Sequence, residues 1–184
     1  QKGWSSSPCC AMVMLSARAR DAIEQTQSST FAMDLKKWLA IMETYEQGGH
    51  AYHTTMPTDA LTRLRDTMVE TEAYGFNKVR DEQMALGQKV RALLTDYGFI
   101  SVAAEGFKAP GVVVSFTTDP GLQSSKKFLE VGLQTAAGVP LQCDEGPDFM
   151  TFRLGLFGLD KWHDSDAAVA NLEKALAVVA PQTT

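Results

Sequence analysis

Lys2 lies in a loop of Gly and Ser residues, ahead of an apolar run. A lysine amine attacks carbonyl carbons when desolvation or a nearby cation removes its proton. Nothing next to Lys2 in the sequence supplies either condition, and a solvated surface lysine has the same surroundings. The residues around Lys2 therefore allow nucleophilic chemistry without selecting it.

Tyr52 and Thr55 are hydroxyl residues spaced three apart, just before a helical pattern that begins near Thr58. Free backbone amides at a helix N-terminus attract anions, so the pair predicts a seat for a phosphate group. An ordinary helix entry capped by threonine explains the same residues. His50 and His53 share the loop, but a metal ion needs more ligands than these two, and we predict no metal site.

Arg153 interrupts the apolar pattern of a strand predicted over Phe149–Phe157. A guanidinium in such a strand is costly unless it is paired. Its planar fork suits a carboxylate, which either the protein or a ligand could supply.

Composition narrows the classes of protein to which the sequence can belong. The chain has 184 residues, 45% apolar and 21% charged, which indicates one globular domain or slightly more and excludes a disordered chain. A net charge of −5 makes it a poor nucleic-acid binder. The longest apolar run, Cys9–Leu15, is far shorter than the about 20 residues of a membrane helix. Three cysteines, two of them adjacent, favour a reducing compartment, and we expect a cytoplasmic protein.

The apolar run Cys9–Leu15 predicts a buried strand, followed by helices that begin after Ser16, after Asp34 and near Thr58. From Phe76 onward, helical and strand patterns alternate as in a compact α+β unit. The predicted elements are a helix over about 77–97 ended by Gly98, strands over Phe99–Ala103, Val112–Thr117, Gly138–Cys143 and Phe149–Phe157, a turn at Pro120-Gly121, and helices that begin at Ser124 or Ser125 and at Asp164 or Ser165.

One buried strand with its helices cannot form a stable layer alone. We therefore expect residues 1–75 to be the C-terminal remainder of a larger α/β domain. Residues 76–184 are expected to form a small α+β domain.

Taken in order, these segments resemble the C-terminal half of class V, fold-type I aminotransferases, which depend on pyridoxal 5′-phosphate. The similarity is greatest to the alanine–glyoxylate and serine–glyoxylate (serine–pyruvate) branch. It covers essentially the whole sequence and rests on Gln1-Lys2-Gly3-Trp4 with Pro8, on Ala51-Tyr52-His53-Thr54-Thr55-Met56-Pro57, on the helices from Thr58 to Gly98, and on Phe152-Arg153-Leu154-Gly155-Leu156-Phe157-Gly158.

The resemblance implies a role for each candidate residue. Lys2 would carry the pyridoxal phosphate as a Schiff base and move the proton at the substrate's Cα, and Gln1 would lie beside the cofactor phosphate. Tyr52 and Thr55 would reach the phosphate of the neighbouring subunit's cofactor, so that the active site needs a homodimer. Arg153 would hold the substrate carboxylate.

The resemblance also implies transamination between a small amino acid, alanine or serine, and a 2-oxo acid, glyoxylate or pyruvate. The family's N-terminal half is absent from this sequence, so we expect this chain to act with that half as its partner and to be inactive alone. Lys2 is followed by Gly-Trp-Ser-Ser-Ser-Pro-Cys-Cys rather than by a Pro-Pro-Gly-like continuation, which leaves the substrates open.

Two alternatives remain. A class V lyase such as a cysteine desulfurase needs a mobile cysteine in a loop after the lysine, whereas Cys9 and Cys10 begin a predicted buried strand and Cys143 ends another. A non-enzymatic α+β interaction module that lost the cofactor half has no use for Lys2 and Arg153 together with the hydroxyl pair.

Overall fold

The computed structural model describes residues 2–181. Gln1 therefore lies outside the described residues. The helices are α1 Ala17–Glu24, α2 Leu35–Glu46, α3 Thr58–Tyr74, α4 Phe76–Asp96, α5 Pro120–Gln123, α6 Lys126–Glu130, α7 Leu159–His163 and α8 Ser165–Val179, and the strands are β1 Val112–Phe116, β2 Ala136–Ala137 and β3 Thr151–Gly155.

The chain separates into two compact units. One comprises the described parts of Gln1–Ser6 and Arg65–Thr184, and the other comprises Ser7–Leu64. The domain division predicted from the sequence, 1–75 and 76–184, stays a prediction.

The larger unit is built on a three-stranded antiparallel sheet with the order β1-β3-β2. Because side chains alternate along a strand, Phe152 and Leu154 of β3 point to one face and Arg153 points to the other. Helices α4 and α8 pack together beside the sheet. The most deeply buried core side chains come from these helices, from the sheet and from α6, and they are Leu86, Val90, Leu94, Val113, Phe128, Phe152 and Leu176.

Local signals predicted most helix boundaries correctly. The side chains of Ser16, Asp34 and Asp164 accept hydrogen bonds from backbone amides at the starts of α1, α2 and α8. Gly75 and Gly98 flank α4 with φ values of 105° and 81°, which glycine adopts without steric cost. The strands predicted around β1 and β3 are confirmed over shorter ranges.

The prediction of a buried strand over Cys9–Leu15 is wrong. This segment has no regular secondary structure, and Met12, Val13 and Met14 are 53%, 53% and 93% exposed. A strand needs a neighbour to accept and donate its backbone hydrogen bonds. The described residues contain no strand paired with this run.

Two further strand predictions are wrong. Over Phe99–Ala103 the backbone makes only an isolated bridge, between Ser101 and Ser115. Over Gly138–Cys143 the chain forms a loop. The strand lies directly before this range, as β2 over Ala136–Ala137. In that loop the Glu145 carboxylate accepts the backbone hydrogen bonds that a strand neighbour would otherwise take.

Around residue 120 and residue 160 the structure has helices that the sequence did not predict. The expected turn at Pro120-Gly121 is the start of α5, because Asp119 accepts hydrogen bonds from the amides of Gly121 and Leu122. The short helix α7 separates β3 from α8 and buries Trp162.

Candidate functional site

Arg153 lies at the centre of β3, paired with Val114 on one side and Ala136 on the other. Its Nε donates a hydrogen bond of 2.8 Å to the carbonyl oxygen of Ala137, which fixes the direction of the guanidinium. Within residues 2–181, no carboxylate oxygen lies within 4.0 Å of a charged nitrogen of Arg153. The two terminal nitrogens are therefore available to an external carboxylate, which they could bind at two points.

Thr151 is a polar residue near Arg153 that the sequence analysis missed. It lies two residues before Arg153 on the same face of β3 and is 1% exposed. Its Oγ1 has no hydrogen-bond partner in the described protein. It lines a cleft of about 520 Å³ with Gln123 and Gln142. The signal in the sequence that could have identified Thr151 is the alternation of side chains along β3, which places Thr151 and Arg153 on the same face.

Lys2 opens a tight turn closed by a 3.0 Å hydrogen bond from the Ser5 amide to the Lys2 carbonyl. The lysine side chain is exposed. The turn lies against Gly158, where an added Cβ would come 2.8 Å from the Ser5 hydroxyl oxygen. The structure therefore brings the Lys2 turn into contact with the end of the Phe152–Gly158 motif, two stretches far apart in sequence.

Tyr52 and Thr55 have their hydroxyl oxygens 3.1 Å apart, in hydrogen-bond contact. Both residues are exposed, and the Tyr52 side chain is 71% exposed. Helix α3 begins at Thr58, three residues after Thr55. Two adjacent hydroxyls beside a helix N-terminus can donate to the same phosphate group.

His53 packs against two aromatic rings near its loop. Its ring packs against Phe31 and Trp38, with centroids 4.3 and 4.9 Å away, and its Nε2 lies 3.2 Å from the Phe31 carbonyl oxygen. His50 packs against Tyr45. In the described part of the chain, no three His, Cys, Asp or Glu residues are grouped as metal ligands would be.

Lys2 and Arg153 belong to the larger unit, whereas Tyr52 and Thr55 belong to the smaller one. Among residues 2–181, no helix has both the length and the apolar character needed to cross a membrane.

No protein-family model and no curated protein matches the sequence. Solved structures of other proteins do match the chain. Alanine–glyoxylate aminotransferase from Nostoc sp. matches with a TM-score of 0.75 and 18% identity over 96% of this chain. The chain has part of the fold-type I aminotransferase fold. An aspartate aminotransferase of subgroup IV from Thermus thermophilus (TM-score 0.65, 16% identity, 90% of this chain) and ureidoglycine–glyoxylate aminotransferase from Bacillus subtilis (0.58, 17%, 86%) match as well.

The fold class predicted from the sequence, an incomplete α/β transferase fold of type I, is thereby confirmed. The chain spans less than half the length of the aminotransferases that it matches, namely 46%, 43% and 40%.

Proposed function

We propose that this chain is the C-terminal portion of a pyridoxal-phosphate-dependent aminotransferase that acts on alanine or serine and on glyoxylate or pyruvate. The observation that carries the proposal is Arg153, a guanidinium that the Ala137 carbonyl orients and that has no carboxylate partner among residues 2–181, on a fold shared with aminotransferases. A two-point hydrogen bond to the substrate's α-carboxylate would fix the orientation of the Cα–H bond.

The cofactor, when bound, supplies an electron sink for the bonds at the amino acid's Cα. Lys2 provides the amine that anchors it and then carries the proton to and from Cα. The Tyr52 and Thr55 hydroxyls donate to the cofactor phosphate of a partner subunit in a homodimer. Gln1, which is outside the described residues, would hold the phosphate from beside it in this proposal.

The smaller unit supports the proposal that an N-terminal half of the enzyme is a required partner. No residue from 7 to 63 is buried, and α1 and α2 bury no side chain. Cys9–Leu15 exposes apolar side chains and unpaired backbone, which a neighbouring strand would cover. Without such a partner we expect no transamination by this chain.

The cysteine desulfurase alternative is less well supported, because a nucleophilic cysteine needs a lowered thiol pKa. Burial, together with the hydrogen bond and charge interaction with Cys9, raises the pKa of the Cys10 thiol. Burial and the neighbouring Glu145 raise the pKa of Cys143. Both shifts keep these thiols protonated.

Borohydride reduction of the protein as isolated, followed by denaturing mass spectrometry and peptide mapping, tests the proposal. We expect a phosphopyridoxyl group on the peptide that contains Lys2, together with a second polypeptide. Lys2→Ala should remove the adduct, while Lys126→Ala, which changes an exposed lysine of α6, should retain it. A single unmodified chain would overturn the proposal and favour the non-enzymatic α+β module.

A further inference from the structure

The turn that carries Lys2 rests against the start of helix α7. The Ser5 amide closes this turn with a 3.0 Å hydrogen bond to the Lys2 carbonyl oxygen. Gly158, which directly precedes α7, lies so close that an added Cβ would come 2.8 Å from the Ser5 hydroxyl oxygen and 3.5 Å from the Ser5 Cβ. The two segments can meet in this way because position 158 has no side chain.

The stretch that contains Gly158 is anchored to the core of the larger unit on both sides. Before it, the Leu156 amide donates a 2.9 Å hydrogen bond to the Gly111 carbonyl oxygen. After it, the buried Trp162 of α7 donates a 2.8 Å hydrogen bond from its Nε1 to the side chain of Gln83 in α4. Gly158 is therefore the fixed side of the contact, and the exposed turn is the side that adjusts.

The same anchored stretch carries Arg153. Gly158 follows Arg153 by five positions, and the chain between them runs directly from β3 to α7. Reacting groups need to be held within about 0.5 Å of their productive arrangement. A turn that rests on Gly158 has its place fixed relative to the strand that holds Arg153.

We propose that Gly158 is a positioning residue for Lys2, which acts by seating the Lys2 turn through its contact with Ser5. The inference rests on the proposed function, in which Lys2 anchors the cofactor. Non-bonded atoms pack at about 3.5–4.0 Å, so an alanine at 158 needs about 0.5 Å or more of additional separation from the Ser5 hydroxyl. Ser5 reaches that separation only by giving up its present packing against Gly158. The Asp160 carboxylate also lies near the added Cβ, but it ends an exposed side chain that can rotate away.

Gly158→Ala and Gly75→Ala form a matched pair of variants. Both glycines precede a helix with similar φ values, 110° and 105°, so alanine strains the backbone at both positions. At Gly75 the nearest atom to an added Cβ is 3.9 Å away, on Lys78. We expect Gly158→Ala to shift the amide NMR signal of Ser5 in the full chain and Gly75→Ala to leave it unchanged.

Kinetics of the aminotransferase that we propose give a second readout. Gly158→Ala should lower kcat by about 10-fold, because a misplaced reacting group slows the reaction, and should change the KM for the amino donor by less than about 3-fold. The phosphopyridoxyl adduct on Lys2 should still form after borohydride reduction. Gly75→Ala should retain both kinetic constants.

Ser5→Gly removes the same contact from the other side. Ser5 has a φ of 49°, which glycine adopts without steric cost, so this variant should fold. We expect it to lower kcat by about 3-fold or more. Because changes at two contacting residues are not additive, adding Ser5→Gly to Gly158→Ala should lower kcat no further. Added to Gly75→Ala, it should have its full effect.

The proposal is overturned if the Ser5 amide signal stays in place in Gly158→Ala, if KM rises while kcat is kept, or if the losses at positions 5 and 158 multiply. Should circular dichroism show that Gly158→Ala is unfolded, an unchanged kcat in Ser5→Gly overturns it. An unsubstituted enzyme with no adduct on Lys2 would overturn the proposed function and this inference together. An active enzyme that Gly158→Ala leaves unchanged would overturn the inference alone.

Discussion

At the scale of single residues, Arg153 shows how strand alternation separates a charge from a core. Its neighbours Phe152 and Leu154 are buried at 0% and 5% exposure, while Arg153 lies on the opposite face of the same strand. The guanidinium thus avoids the desolvation that a core position would impose. One hydrogen bond to Ala137 orients it, and the terminal nitrogens remain for a ligand.

Arg153→Lys keeps the positive charge but removes the two-point fork. In the aminotransferase that we propose, we expect the KM for the amino donor to rise by about 10- to 100-fold, which corresponds to the loss of one charge-assisted hydrogen bond. Cofactor retention should stay unchanged. Steady-state kinetics and the cofactor's absorbance measure the two quantities. Loss of cofactor instead of substrate affinity would assign Arg153 a structural role.

Glu145 organises the loop after β2 through a single carboxylate. It accepts backbone hydrogen bonds from Cys143 and Gln142, both at 2.8 Å, and from Leu141. These bonds, led by the one from Cys143, lower the pKa of Glu145 to about 2. The loop's local order is therefore coupled to the ionisation of one half-buried side chain.

A carboxyl group whose pKa is lower in the folded protein stabilises the folded loop at pH values above the group's pKa in the unfolded chain. This stabilisation is lost as the pH falls through the group's pKa in the folded protein. We expect the amide NMR signals of Leu141, Gln142 and Cys143 to shift together with a midpoint near pH 2. Glu145→Gln should abolish the transition, and Glu130→Gln, which changes an exposed residue at the end of α6, should not. Independent midpoints for the three amides would contradict this arrangement.

At the scale of elements, α4 packs tightly because Gly87 lacks a side chain. An added Cβ at this position would lie 2.7 Å from the carbonyl oxygen of Pro110 and 2.9 Å from its Cα. The same carbonyl accepts a hydrogen bond from Gln83, whose side chain also accepts one from Trp162 of α7. Helix α4, the loop before β1 and α7 are thus joined at this contact.

Gly87→Ala raises intrinsic helix propensity by about 1 kcal/mol. Overpacking against a fixed backbone costs about 1–3 kcal/mol of stability. The short distances from the added Cβ to Pro110 place the cost at this site toward the upper end of that range. We expect a net destabilisation of about 1–2 kcal/mol in chemical denaturation. Gly146→Ala, with no atom near the added Cβ, should change stability by less than about 0.5 kcal/mol. A stabilised Gly87→Ala variant would show that the Pro110 loop moves freely.

At the scale of the whole molecule, burial is divided unequally between the two units. The larger unit holds a contiguous apolar core from α4, the sheet, α6 and α8. Within the smaller unit only Leu64 is buried. Helices without a buried face gain little from tertiary packing and depend on weak local stability.

Hydrogen exchange on the chain alone should resolve this difference. We expect amides in α4 and α8 to exchange about 100-fold or more slowly than those in α1 and α2, because exchange protection follows local opening free energy. Amides over residues 10–15 should be unprotected. Binding of an N-terminal half would then slow exchange in the smaller unit. Equal protection of α1 and α4 in the isolated chain would contradict the unequal burial.

Local features of the sequence were sufficient to predict where most helices begin and end, and which face of a strand each side chain occupies. The caps at Ser16, Asp34 and Asp164 and the glycines at 75 and 98 act through hydrogen bonds and backbone angles within a few residues, so their effect can be derived from neighbouring positions. The aminotransferase fold was likewise predicted from short motifs in order, and structural matches confirm it.

Features that depend on distant residues required the folded chain. Cys9–Leu15 has the apolar composition of a buried strand, but a strand exists only where another segment completes its hydrogen bonds. Whether Arg153 faces a protein carboxylate, and whether the Tyr52 and Thr55 hydroxyls meet, depends on which segments pack together. Composition and spacing report the preferences of each segment, whereas the partners of each segment are set by packing across the whole chain.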